Sequence, residues 1–216
     1  MNIKYFILSL LFSVISMSSI ANAKPSNAIG QISLVLNDVT VMHHGKPDTA
    51  PLQKGDLVYL GDVITTQTED SFVRVDFIDE THITMNGEDG ELTIDEYIFD
   101  PANLNHNKAK FTVLRSSFEF VGGLIDKGET ENTQIDLDFG SIGVRGTKIL
   151  RSMKDGECWI YLQDGEIRVF NDGGEVFLKP NDGTRMGSKT KAPTPSKPWG
   201  QKNIDWIKSE VAVPAQ

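Results

Sequence analysis

Hydrophobic and polar residues alternate over most of this chain, and that alternation is its main structural signal. It is clean at 71–78 (SFVRVDFI) and recurs at 81–85, 91–99 and 133–139. A period of two, carried by Thr, Val, Ile and aromatic residues, indicates half-buried strands. No stretch between residues 24 and 186 has a sustained helical period. The pattern therefore predicts an all-β domain.

Asp-Gly pairs recur late in this domain, at 155–156, 164–165, 172–173 and 182–183, with spacings of 9, 8 and 10 residues. Asp and Gly tolerate the positive φ angles of tight turns. We therefore expect a turn at each pair, between strands of about six residues, in a meander or a coil of short strands. The spacing is too irregular to define a repeat family.

The first 23 residues have the features of a cleavable secretory signal. Lys4 is the only charged residue before Lys24, a short apolar segment follows it, and the small residues ANA end at Ala23. This order predicts a signal peptide at 1–23 with cleavage after Ala23. The apolar segment is short for a bilayer span, which needs about 20 residues, although an uncleaved anchor is the alternative. We expect a periplasmic or secreted protein with no stable membrane anchor.

Charge is unevenly distributed along the chain. Residues 24–184 contain 14 Lys and Arg against 28 Asp and Glu, whereas residues 185–216 contain 6 basic and 2 acidic residues. An acidic body repels phosphate backbones, so nucleic acid is not expected as a partner. Cys158 is the only cysteine, which leaves no internal disulfide. Its place in an alternating segment favours a small buried residue over a reactive thiol.

The chain ends in a Pro- and Lys-rich tail, residues 187–216. Such a composition is typical of an extended, exposed segment. The tail also contains Trp199 and Trp206, which leave two alternatives: it packs on the body, or it is an arm that binds a partner. We favour packing, because an exposed tryptophan is costly in solution. The chain thus divides into the signal peptide, a β domain at 24–186 and the tail.

The segment SIGVRGTKI, residues 141–149, places a Val-Arg pair between two glycines. It does not fit a phosphate-binding P-loop, because the order of Lys and Thr is reversed and no helical segment follows. Gly143 and Gly146 would allow positive φ or the close approach of another strand. Arg145 carries five donors in a fixed fork, so we favour a buried arginine that holds two turns of the fold together. The alternative is an exposed arginine that binds a ligand.

This segment resembles the signature of the FecR domain family, in which an Ile-Gly-Val/Ile-Arg-Gly-Thr run recurs. The stretches 52–66, 71–85, 91–97, 117–123 and 164–178 resemble other strands of the family in the family's order, so the resemblance covers about residues 30–186. One departure is Asp79-Glu80-Thr81, where the family often has Asp-Gly-Thr. The signature residues, which we expect to be structural, are Gly143, Val144, Arg145, Gly146 and Thr147.

The resemblance implies an all-β domain of two packed, twisted sheets of short strands, close to a short β-solenoid or sandwich. Founding members of the family relay an iron-transport signal in the periplasm, and a membrane span links them to a cytoplasmic segment that controls a sigma factor. This sequence shows neither the span nor the cytoplasmic segment, so the anti-sigma role is not implied for it. The resemblance implies an extracytoplasmic domain that contacts another protein or a ligand.

Other candidate chemistry is sparse. His43 and His44 are adjacent, so in a strand they would point to opposite faces, and no metal site is expected. The acidic segment 79–100 could bind Ca²⁺ weakly, but its spacing is not that of an EF-hand, and a solvated hairpin is the better interpretation. We find no catalytic motif and expect neither an enzyme nor a cofactor.

Two functions remain as hypotheses. The first is an extracytoplasmic domain of envelope signalling or regulation, which acts by contact with a protein or ligand in the envelope. The alternative is a secreted binding or surface-assembly module that recognises envelope polysaccharide or a matrix protein. Trp159 and Tyr161 could serve sugar binding on a strand face, but they are equally good core residues. The sequence identifies neither the partner nor the oligomeric state.

Overall fold

A computed structural model describes residues 27–128 and 130–215. The predicted signal peptide and its cleavage site at Ala23 lie outside these residues. Within the described chain, every helix is too short or too polar to cross a bilayer. The elements are β1 (Gly30–Leu36), β2 (Val39–Met42), β3 (Thr49–Pro51), β4 (Leu57–Val58), β5 (Val63–Thr66), β6 (Phe72–Phe77), β7 (His82–Asn86), β8 (Gly90–Ile98), β9 (Lys108–Leu114), β10 (Ser117–Val121), β11 (Thr133–Leu137), β12 (Gly140–Lys154), β13 (Glu157–Asn171), β14 (Gly174–Leu178), β15 (Asp182–Met186), β16 (Lys197–Pro198) and α1 (Gln201–Val211), with 3-10 turns at Leu104–His106 and Ile125–Lys127.

The strands form one continuous, strongly curled open sheet, which confirms the prediction of an all-β fold. Its order is β3-β2-β5-β8-β9-β11-β12-β10-β7-β6-β1-β4, and β13, β14, β15 and β16 extend it from β12. The pairing of β11 with β12 joins a half that contains β2, β5, β8 and β9 to a half that contains β1, β6, β7 and β10. The two layers implied by the family resemblance are thus two parts of a single sheet.

The core lies between the two halves. Phe77 on β6 stacks on Tyr97 of β8 with ring centroids 5.5 Å apart, and it contacts Phe111 of β9 at 5.1 Å. These strands are far apart in the sheet order, so their side chains meet across the interior rather than along the sheet. Inward-facing residues of both halves form a single buried cluster, as the period-two pattern predicts.

Consecutive strands often lie in opposite halves, because the chain crosses the core at short turns. β7 and β8 are an example: β7 pairs with β6 and β10, whereas β8 pairs with β5 and β9. The hairpin predicted within 79–100 is therefore wrong for these two strands. Gly87 and Asp89 adopt φ of 115° and 52° at this crossing, which accounts for the Gly- and Asp-rich sequence there.

Only two of the four Asp-Gly pairs are turns. Residues 155–156 join β12 to β13 and residues 172–173 join β13 to β14, as predicted. The pair at 164–165 instead lies inside β13, and the pair at 182–183 begins β15 directly after a turn over residues 179–182. Both positions are glycine because a neighbouring group leaves no room for a side chain. A Cβ at Gly165 would lie 1.9 Å from the Gly146 carbonyl oxygen, and one at Gly183 would lie 2.0 Å from Trp199 Cε2. The expectation of a turn at each pair was therefore wrong at these two sites.

The tail packs on the outer face of the sheet, as favoured from the sequence. Helix α1 begins after Gly200 and places Ile204, Ile207 and Val211 on one face. These residues join a second buried cluster that contains Leu150, and the Trp159 ring lies 5.3 Å from Trp199 and 5.4 Å from Trp206. The alternative of a free partner-binding arm is not what the structure shows.

Candidate functional site

The signature segment lies on β12 and directs Arg145 outward. Val144 is fully buried in the core, so the next residue along the strand faces solvent. The Arg145 side chain is 51% exposed, and its Nη1 lies 3.5 Å from the carboxylate of Glu166 on β13, which is 68% exposed. The prediction that Arg145 is buried is therefore wrong, and the alternative of an exposed arginine is the one observed.

A bulge follows Arg145 in β12. Before the bulge the even-numbered residues face the core, and after it the odd-numbered residues do. The pairing with β13 shifts between Arg145 and Lys148, and Gly146 adopts φ of +60°, as its glycine allows. Gly143 has no positive φ; a Cβ there would lie 2.3 Å from Glu131 Oε2, so this glycine permits a close approach. Thr147 is buried at the bulge, and its hydroxyl has no hydrogen-bond partner among the described residues.

The buried arginine of this strand is Arg151, which sequence reasoning did not single out. Because the bulge reverses the alternation, Arg151 points inward and is 0% exposed. Its guanidinium donates to the Asp138 carboxylate and the Ser116 carbonyl, and its Nε lies 3.3 Å from Cys158 Sγ. The role proposed for Arg145 thus belongs to a residue six positions later. Cys158 is buried, as predicted, and burial raises the pKa of its thiol.

Two buried carboxylates lie beneath the signature bulge. Asp79 accepts hydrogen bonds from the Tyr97 hydroxyl at 2.7 Å, the Thr81 hydroxyl at 2.7 Å and the Ile125 amide at 3.2 Å. Asp126 is 1% exposed, and neither of its carboxylate oxygens has a hydrogen-bond partner among the described residues. Burial raises the pKa of Asp126 to about 7; the nearby Thr133 side chain opposes this shift, and the charge of Asp79 adds to it. Asp79 and Thr81 are thus joined to the segment Gly123–Asp126, and the backbone oxygen of Asp126 lies beside Gly146 at the bulge.

A surface groove lies where Arg145 approaches the end of β14. Its volume is about 370 Å³, and Phe177, which is 62% exposed, forms its apolar wall. Charges of both signs surround Phe177, because Arg168 pairs with Glu131 at 2.9 Å and with Glu175 at 3.3 Å. We name this surface the edge groove; its residues are Glu131, Arg145, Glu166, Ile167, Phe177, Leu178 and Lys179.

The histidine pair does not lie in a strand, because β2 ends at Met42. His43 and His44 line the same surface depression, and His43 Nδ1 lies 2.9 Å from Asp62 Oδ1. Their predicted positions on opposite faces are therefore wrong. Across residues 27–128 and 130–215, His, Cys, Asp and Glu side chains form no group of three that could hold a metal ion.

The aromatic residues considered for sugar binding are covered by the tail. Tyr161 is 2% exposed and stacks on Trp199 at 5.6 Å, and Trp159 lies between Trp199 and Trp206. Lys154 Nζ also sits 4.6 Å from the centroid of the Trp206 ring, which adds a cation–π contact. These rings therefore pack the tail against the sheet.

Comparison with known proteins returns no matching family model and no matching curated protein. The solved structures that are similar include two crystal structures of a candidate anti-sigma factor from Parabacteroides distasonis ATCC 8503. The first has 13% sequence identity and a TM-score of 0.49, and the match covers 68% of this chain and 64% of that chain. The second has 13% identity and a TM-score of 0.46, with 66% and 63% covered. The match thus spans less than two thirds of the length of each of these two solved chains.

Proposed function

We propose that this protein is an extracytoplasmic FecR-like domain that acts by protein contact in envelope signalling or regulation, and not as an enzyme. The observation that carries the proposal is the edge groove. There the arginine of the FecR-like signature is exposed on the surface, beside an exposed phenylalanine on the last strand of the β13–β14 hairpin. The order of the matching segments along 30–186 supports the family assignment, and the apparent signal at 1–23 supports the location.

The chemistry of the edge groove suits a protein partner. Phe177 supplies an apolar anchor, and aromatic and arginine side chains are the residue types enriched at protein interfaces. Arg145 can exchange its exposed contact with Glu166 for a partner carboxylate at little cost, because an exposed ion pair contributes only about 0–1 kcal/mol. The groove thus offers one hydrophobic contact and one bidentate cationic contact, which a peptide segment with an apolar and an acidic residue would satisfy.

The alternative, recognition of envelope polysaccharide, has less support. Sugar rings stack on open aromatic faces, and the candidate faces of Trp159 and Tyr161 are covered by the tail. Phe177 is the one aromatic residue among the exposed large hydrophobic side chains of the described chain.

Photo-crosslinking in the producing cells tests this proposal. Benzoylphenylalanine is placed at Glu166, inside the edge groove, or at Leu60, an exposed apolar position elsewhere, as the matched control. We expect a discrete product with a second envelope protein from position 166 alone. Arg145→Glu combined with the label should abolish it, because the cationic contact is reversed. Identical products from both positions, or none from position 166 in the envelope fraction, would contradict the proposal.

A further inference from the structure

Strand β14 has an open edge. In the described chain it pairs only with β13, over five residues and without a bulge. The other terminal strands are short or contain proline: β3 ends in Pro51, β4 has two residues and β16 is Lys197–Pro198. Short length and proline protect a sheet edge from pairing with another chain. The edge of β14 has neither protection.

The two faces of β14 differ in polarity. Leu178 faces the core and is buried, and Val176 is half-buried on the same face. Glu175 and Phe177 are exposed on the other face, and exposed Lys179 follows directly after the strand. Ala192 of the tail lies near the start of the strand, close to Gly174. The open part of the strand therefore presents an acid, an aromatic residue and a base at successive positions of one face.

We propose that β14 pairs antiparallel with β14 of a second copy of this chain, with Phe177 on the two-fold axis. In this register Glu175 lies opposite Lys179 of the second copy, and Lys179 lies opposite its Glu175. The two Phe177 rings face each other, and Val176 faces Leu178 of the second copy. The exposed sequence is thus its own complement, which is the requirement for a two-fold interface.

The charge pattern selects one register. If the axis passed through Val176 instead, Glu175 would lie opposite Phe177 of the second copy, and both charge pairs would be lost. A parallel arrangement would place like charges side by side, which is unfavourable. The edge is short, so it buries less than the roughly 1,200 Å² of a standard interface, and the dimer is reversible. Pairing places the edge grooves of the two copies side by side. The dimer therefore rests on the same surface as the proposed function, with a second copy of this chain as the occupant in place of another envelope protein.

Sedimentation equilibrium of the mature chain tests the inference at concentrations up to about 1 mM, where weak association is measurable. We expect a reversible monomer–dimer equilibrium. Glu175→Lys and Lys179→Glu should each weaken it roughly 10-fold, because each creates two like-charge pairs. An equal mixture of the two variants should associate about as well as the wild type, since the charge pairs are restored between unlike copies. Glu88→Lys, at an exposed site on the β7–β8 crossing, is the matched control and should change nothing.

Two results would overturn the inference. One is a wild-type protein that stays monomeric at every concentration. The other is a mixture of Glu175→Lys and Lys179→Glu chains that associates no better than either variant alone. If the wild type is monomeric while the label at Glu166 still captures a second envelope protein, the dimer is wrong and the proposed function stands. If the dimer forms and that label captures no other protein, the proposed function is wrong.

Discussion

Two arginines on β12 have opposite roles, and the bulge between them sets the difference. Arg145 precedes the bulge and is exposed, whereas Arg151 follows it and is buried against Asp138, Ser116 and Cys158. The sequence shows two arginines in one alternating run, and the FecR-like motif draws attention to the first. Which of the two is buried depends on the extra residue at the bulge. That residue moves each later side chain of β12 to the opposite face of the strand.

Replacing these two arginines by lysine separates the roles. Arg151→Lys keeps the charge but loses the planar fork, so one ammonium group cannot replace the separate contacts of Arg151 with Asp138 and the Ser116 carbonyl. Breaking such a buried set costs about 3–5 kcal/mol, and for a domain of this size we expect a melting temperature lowered by about 6–20 °C. Arg145→Lys is the matched control and should melt within a few degrees of the wild type. Equal effects of the two substitutions in thermal melts would contradict this assignment.

Asp126 should make stability depend on pH. Its pKa in the folded protein is raised to about 7 by burial, whereas an unfolded aspartate titrates near 3.9. As pH rises above 4, Asp126 ionises in the unfolded chain while it stays protonated in the folded protein. This difference stabilises the unfolded state and lowers the free energy of unfolding. The stability that protonated Asp126 contributes is therefore fully present below about pH 4 and is lost as pH rises through 7. The total loss in the free energy of unfolding is about 4 kcal/mol at pH 8.

Asp126→Asn removes this titration, because the amide has a similar shape and no charge. The variant should gain stability relative to the wild type between pH 5 and pH 8, and the two proteins should converge near pH 4. Urea unfolding at several pH values measures the difference directly. A constant difference across this range would show that Asp126 does not titrate inside the fold.

At the scale of elements, the strands were predictable and their partners were not. Alternation located β6, β7 and β8, because each carries buried apolar residues at alternate positions. It could not show that β7 and β8 lie in opposite halves, since a tight turn serves a hairpin and a crossing equally well. The same ambiguity affected the Asp-Gly pairs. Gly165 and Gly183 are glycines because other groups approach their backbones, and that requirement exists only in the folded protein.

Gly165→Ala tests the contact between the bulge and β13. Gly165 adopts φ of +88°, and an added Cβ would meet the Gly146 carbonyl at 1.9 Å. Positive φ and the backbone clash together should cost about 3 kcal/mol. Gly187→Ala is the control, because its Cβ would lie 3.6 Å from the nearest atom and its φ is not positive; we expect a change within about 0.5 kcal/mol. Equilibrium denaturation of both variants measures the two changes in the free energy of unfolding. Equal changes for Gly165→Ala and Gly187→Ala would contradict this contact.

Helix α1 and the sheet core form separate buried clusters, so they should be separable by mutation. Ile207 is fully buried against the Leu150 and Tyr161 cluster. Ile207→Ala should cost about 2–5 kcal/mol of helix docking, with a red shift of tryptophan fluorescence at temperatures where the far-UV strand signal persists. Lys202→Ala, at an exposed site on the same helix, should leave the fluorescence transition unchanged. A single transition for Ile207→Ala in both signals would contradict this.

For the whole molecule, the sequence indicated the fold class and the packed tail, but not the site. The edge groove combines residues from β12, β13 and β14 with Glu131, which are brought together only by the curl of the sheet and the long β12–β13 hairpin. Phe177 belongs to an alternating run, and alternation alone does not reveal which face is left open. A free edge is a property of topology, and that explains why sequence analysis missed it.

Amide hydrogen exchange of residues 174–179, in dilute and in concentrated solution, tests most directly the central claim that β14 is the open contact edge of this protein. In dilute solution the outward amides of Glu175–Leu178 should exchange rapidly, because they have no partner strand. In concentrated solution they should become protected, while amides of β3 and α1 remain unchanged. Protection that is already complete in dilute solution, or that appears at α1 instead of β14, would contradict the account.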